Sequence, residues 1–123
     1  MSDFRAFVEE LFAGFGPVRL RRMFGVTGLF ANDVIFGLID EDTIYLKADE
    51  ALKTELVAEG SVAWVYRFAA EPVAIGSYWR LPEAALDDPD AAAAWARKAL
   101  AVAEAKAAGK KPKPRNPEVA RRS

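Results

Sequence analysis

The sequence predicts an α+β fold: an antiparallel β-sheet flanked by N-terminal and C-terminal α-helices, with a short helix inserted between strands. Three observations carry this. Long helical periodicity is confined to the two ends of the chain. The stretch from Val18 to Trp79 breaks into short β-rich runs separated by turn residues. Most of those runs are joined by turns too short for a parallel crossover, so their neighbours are antiparallel, and the longer helices lie at the ends of the chain.

The elements follow in order. Phe4, Phe7, Val8 and Leu11 recur at i, i+3, i+4 and i+7, one apolar helical stripe, which Gly14 and Gly16-Pro17 terminate. Arg19–Phe24 reads as a strand and Gly28–Ala31 as a second. Asn32-Asp33 turns into Val34–Ile39, and Asp40-Glu41-Asp42 turns into Thr43–Ala48. Asp49 caps a short helix to about Glu59, with Leu52 and Leu56 inward and Gly60 as its stop. Ala63–Phe68 and Val73–Trp79 pair as a hairpin around Ala69–Pro72. The last helix starts on Asp88 as N-cap, Pro89 at its first position and Asp90 in its first turn. It runs to about Ala108, with Trp95, Ala99 and Val102 inward and Asp90, Arg97 and Glu104 outward, and Gly109 ends it.

Alternation assigns faces to the strands. Val34, Phe36 and Leu38 fall on one face of their run, and Ile35 and Ile39 on the other. Ile44 and Leu46 oppose Tyr45 and Lys47; Trp64, Tyr66 and Phe68 share a face, as do Val73, Ile75 and Trp79, with Tyr78 opposite. The third strand is therefore apolar on both faces. Either two layers cover it, or the surplus forms an interface, for example in a homodimer.

Composition restricts the chemistry. With 123 residues the chain is one domain in length, and 52% hydrophobic with 28% charged residues is a globular composition. His and Cys are both absent, which excludes Ser-His and Cys-His nucleophiles, Cys/His zinc sites and thiol redox chemistry. No cofactor, metal site or enzymatic activity is expected. The N-terminus lacks a signal peptide's basic and apolar regions, and no apolar run is long enough to span a membrane, so the chain reads as cytoplasmic.

The charge is unevenly distributed. Of 17 basic and 18 acidic residues, six basic and one acidic fall in residues 110–123, so an acidic body (residues 1–109) carries a basic, proline-rich tail. The tail composition predicts disorder. Lys110, Lys111, Lys113 and Arg115 are its candidate phosphate contacts, which makes nucleic-acid binding through the tail the alternative function. No aromatic residues interleave with these cations, and the acidic body opposes nucleic acid, so such binding is weak or indirect.

Within the body, Arg19 and Arg21 share a strand face and Arg22 takes the other; paired arginines suit a carboxylate or phosphate partner. Met23-Phe24-Gly25 with Gly28-Leu29-Phe30 reads as a turn or bulge with Phe24 and Phe30 packed inward, since its glycine spacing matches no phosphate-binding fingerprint. Tyr45, Lys47 and Tyr78 lie opposite the predicted core positions. With Arg19, Arg21, Arg22 and Phe24 they are candidate partner-binding residues. Asp40, Glu41 and Asp42 read as a solvated turn.

Arg22-Met23-Phe24-Gly25, Gly28-Leu29-Phe30, Phe36 and Thr43-Ile44-Tyr45-Leu46-Lys47 form an ordered set. Gly60, Tyr66, Ser77-Tyr78-Trp79, Leu81-Pro82, Asp88-Pro89 and Trp95-Ala96-Arg97 continue it. This set resembles the N-terminal domain of the TfoX/Sxy proteins over about residues 15–103. The resemblance implies a helix-flanked antiparallel sheet. It also implies a non-enzymatic, protein-binding role in transcription regulation, since longer members regulate natural competence and are thought to act with the cyclic-AMP receptor protein. Those members carry a second, C-terminal domain, whereas Gly109 is followed here by the basic tail. The implied partners are transcription machinery or a regulator of the cyclic-AMP receptor type.

Overall fold

In a computed structural model the described residues are 2–67 and 70–110. Strands β1 (Arg19–Met23), β2 (Val26–Ala31), β3 (Val34–Asp40) and β4 (Thr43–Lys47) follow helix α1 (Ser2–Leu11). Helix α2 (Glu50–Ala58), β5 (Ala63–Tyr66), β6 (Val73–Arg80), a 3-10 turn (Glu83–Asp87) and α3 (Pro89–Lys110) complete the chain order. The six strands form one sheet in the order β1-β2-β3-β4-β6-β5, with every neighbouring pair antiparallel.

Hairpin geometry explains the meander β1 to β4. Each of its three turns has two residues with positive φ: Phe24-Gly25 (53° and 83°), Asn32-Asp33 (51° and 64°) and Glu41-Asp42 (51° and 61°). Two consecutive left-handed residues match the right-handed twist of the flanking strands, the geometry of the type I′ turn. Asn and Asp tolerate it readily; Phe does not. The tight turns require β1 to end at Met23, so Phe24 belongs to the turn and not to the strand.

The helices cover one face of the sheet. Their shared core joins Val8, Leu11 and Phe12 from the α1 region to Leu29, Phe36, Ile44 and Leu46 from the strands, Leu52 and Leu56 from α2, and Ala92, Ala96 and Ala99 from α3. The α3 alanines let its backbone lie close on β3 and β4. Trp95 and Val102 flank them, partly buried. The expected caps are present: Asp49 accepts from the Leu52 amide at 2.9 Å and Asp88 from the Ala91 amide at 3.2 Å. A Lys98–Glu55 ion pair ties α3 to α2.

Four expectations are corrected here. Phe7 is exposed, and Phe12, one residue past α1, fills the core position instead. Gly109 does not end α3, which runs through to Lys110. Ile75 and Trp79 part company, Ile75 joining the tyrosines and Trp79 the helix-covered core; the β5–β6 register jumps between Ala63↔Trp79 and Trp64↔Ile75, so simple alternation fails.

The sidedness of β3 is the fourth. Its register against β2 shifts between Leu29 and Phe30, which pair with Gly37 and Ile35 and leave Phe36 as the extra residue of a bulge. Phe36 and Ile39 therefore enter the helix-covered core, while Leu38 faces the other way. Gly37 makes this possible: a Cβ there would stand 2.6 Å from the Tyr45 carbonyl oxygen on β4.

Candidate functional site

Directly paired residues of adjacent antiparallel strands point to the same face. The register therefore places Arg19, Arg21 and Met23 of β1 with Phe30, Gly28 and Val26 of β2. Those extend to Ile35 and Leu38 of β3, then to Tyr45 of β4 and Arg80 of β6; Lys47 pairs with Tyr78. This is the face opposite the helices. Its own small cluster, Val26, Leu38 and Trp64 with Tyr45, Tyr66, Ile75 and Tyr78 packed around them, draws only on strand residues.

Trp64 is the centre of that cluster. All three tyrosines of the chain surround its ring, Tyr66 at 5.5 Å, Tyr78 at 5.9 Å and Tyr45 at 6.3 Å between centroids. The contacts with Tyr66 and Tyr78 are edge-on, the arrangement the ring quadrupoles favour. The buried indole N–H donates to Asp40 Oδ2 at 3.0 Å, and the Arg67 guanidinium donates to Asp40 Oδ1 at 2.6 Å. Arg67 also reaches Glu41 at 3.4 Å.

Asp40 is thus only 8% exposed and accepts two hydrogen bonds from β5 and its extension. The solvated acidic turn expected from the sequence holds for Glu41 and Asp42 but not for Asp40, the last residue of β3. Asp40 is the residue that sequence reasoning missed. Its partners lie 24 and 27 residues away, and no local pattern joins them.

The electrostatics match the packing. Burial, and then the Asp40 charge, push the Tyr45 phenol above its ordinary pKa, and burial raises Tyr78. The hydrogen bond to Asp40 raises the pKa of Arg67. Both phenols are therefore neutral hydroxyls at physiological pH, able to donate or accept a hydrogen bond.

The predicted partner-binding residues divide between places. Arg19, Arg21, Tyr45, Lys47 and Tyr78 share the open face. Arg19 and Arg21 lie over the Phe30 ring at 5.4 and 6.0 Å, and Lys47 lies over Tyr78 at 4.9 Å. Gly28 leaves the space into which Phe30 and Met23 lean, since a Cβ there would come within 2.9 Å of both. Arg22 points to the other side, into a cleft of about 310 Å³ between α1 and the hairpin ends. Phe24, expected to pack inward, is 78% exposed at the tip of the β1–β2 turn. Phe30 is half-buried beneath the two arginines. Lys110 ends α3, and Lys111, Lys113 and Arg115 lie outside the described residues, as does Phe68.

A helix-covered antiparallel sheet with this order of residues agrees with comparison to known families. The family model described as the TfoX N-terminal domain matches residues 10–103 of the 123. The chain belongs to the TfoX N-terminal domain family. The match spans all six strands, α2 and most of α3. No curated protein is significantly similar to the chain. No helix of this TfoX N-terminal domain, among the described residues, is long and apolar enough to cross a membrane.

Proposed function

We propose that this TfoX N-terminal domain is a non-enzymatic protein-interaction domain that docks an acidic segment of a protein partner on the open face of its sheet. One observation carries the reading: charge is segregated onto that face. The body is acidic overall. Yet Arg19, Arg21, Lys47 and Arg80 occupy open-face strand positions; Asp40 beside them is buried and bonded to Trp64 and Arg67, and the exposed Asp33 of the β2–β3 turn pairs with Arg19 at 3.4 Å. A field of cations interleaved with aromatic rings attracts carboxylates and repels the molecule's own acidic surfaces, which favours orientation and on-rate. Tyrosine, tryptophan and arginine are also the residues on which interface energy concentrates.

The family supports placing the partner in transcription regulation, as transcription machinery or a regulator of the cyclic-AMP receptor type. Tyr45, Lys47 and Tyr78 do not line the 310 Å³ cleft beside α1.

The test compares wild type with the double variant R21E/K47E as bait in native extract, with and without nuclease, read by mass spectrometry. Arg21 is exposed and Lys47 half-buried against Tyr78, so a thermal melt first checks that the variant is folded. A protein held by wild type and lost from R21E/K47E supports the reading. Equal retention by both moves the function off this face. Capture abolished by nuclease moves it to nucleic acid and to the basic tail.

A further inference from the structure

Phe24 is in the wrong place by every intramolecular criterion. It sits at φ 53°, in the left-handed region, where a non-glycine residue costs about 1–2 kcal/mol. Its ring is 78% exposed, so it gains little from its own fold. An exposed aromatic held in a strained conformation is the kind of outlier that functional sites retain.

Beside it lies a cleft it does not fill. The approximately 310 Å³ space has buried or half-buried Phe4, Leu20 and Ile39 at its base and exposed charged residues at its rim. Cavities of about 150 Å³ accept a benzene ring, so a phenyl group fits with room to spare. Arg22 and Gly25, which flank Phe24 in sequence, form part of the wall. Knob and hole are thus side by side on one hairpin, and the knob does not line its own hole.

A two-fold dimer requires a self-complementary patch, in which residue i of one copy meets j of the other and the reverse. Adjacent knob and hole satisfy that condition. We propose that the β1–β2 hairpin is a homodimerisation element, and that Phe24 of each copy inserts its ring into the partner copy's cleft against Leu20 and Ile39. The rim contributes charges of both signs, Arg22 against Glu41 and Asp42, so two copies can oppose unlike charges around the buried rings. This contact uses the hairpin end of the molecule and leaves the open sheet face free. It stands or fails separately from the docking function.

The experiment is sedimentation equilibrium of wild type and F24N up to about 1 mM, the weak end of measurable association. Isotope-filtered NMR on a mixed labelled and unlabelled wild-type sample accompanies it. Asn suits the left-handed turn, so F24N keeps the hairpin while deleting the knob. The expected result is a wild-type dimer, weakened about tenfold or more in F24N as for an interface anchor, with intermolecular contacts from the Phe24 ring to the Ile39 and Leu20 methyls. A wild-type monomer throughout overturns the proposal. So does a dimer that F24N leaves intact, or one without those contacts.

Discussion

Asp40 shows how much one side chain can join. It ends β3, and through its two oxygens it holds Trp64 of β5 and Arg67 just beyond, so the sheet's centre is bound to its far edge. Truncation in D40A leaves a buried indole N–H without its acceptor and Arg67 without its closest partner. Such a loss costs about 1–3 kcal/mol, readable as a lower urea midpoint with an unchanged slope. D40N keeps the shape but not the charge. The Tyr45 titration, followed by ultraviolet absorption, should then move down towards the ordinary tyrosine value while staying above it, because burial is the larger cause and remains. An unmoved titration would mean that Asp40 does not act on Tyr45. Phe24 gives the opposite expectation. Replacing it with Asn relieves a left-handed aromatic and creates an Asn-Gly turn, so the isolated F24N domain should gain about 1 kcal/mol. Neither residue declared itself in the sequence. Asp40 sits in an acidic triplet that reads as solvated, and Phe24 follows a strand pattern that its turn geometry interrupts.

At the scale of elements, local chemistry was legible and long-range geometry was not. Asp49 and Asp88 cap their helices as their spacing implied, and Asn32-Asp33 makes the turn that its residues favour. These depend on neighbours within a few positions. The two faces of β3 depend on a bulge, whose existence is settled by how β2 and β4 fit around Phe36 and Gly37. One register slip exchanges the faces of everything beyond it, which is why Phe36 and Leu38 separate. The open face is the consequence: with Leu38 turned towards Trp64, that face acquires an apolar centre under its cations. Gly37 is the hinge of this arrangement. G37A places a methyl 2.6 Å from the Tyr45 carbonyl oxygen, a backbone atom of the neighbouring strand that cannot swing aside. The expected loss is about 3 kcal/mol, at the upper end for overpacking. G76A, whose Cβ meets nothing within 4 Å, should change stability far less. Similar thermal midpoints for the two variants would show that β3 and β4 can part at Gly37 without cost.

Across the whole molecule, the same tyrosines that furnish the open face also limit the pH range of the fold. Tyr45 and Tyr78 belong to the cluster joining β3, β4, β5 and β6, so they lose their surroundings together when the sheet unfolds. Both have pKa values raised in the native state, Tyr78 by burial and Tyr45 by burial followed by Asp40. The sign follows from proton binding. Below about pH 10, the ordinary tyrosine value, both states hold the protons and the shifts have no effect on stability. As pH rises through that value, the unfolded chain releases protons that the folded chain retains, so stability falls with pH until the native phenols ionise too. Urea unfolding at pH 8 and at about pH 11 should therefore show a loss of stability that is smaller in Y78F than in wild type. Lysines and other groups titrating in that window contribute to both proteins alike, so the difference between the two losses isolates Tyr78. Equal losses would mean that its phenol is solvated in the folded state, and that the aromatic centre of the open face is looser than its ring distances imply.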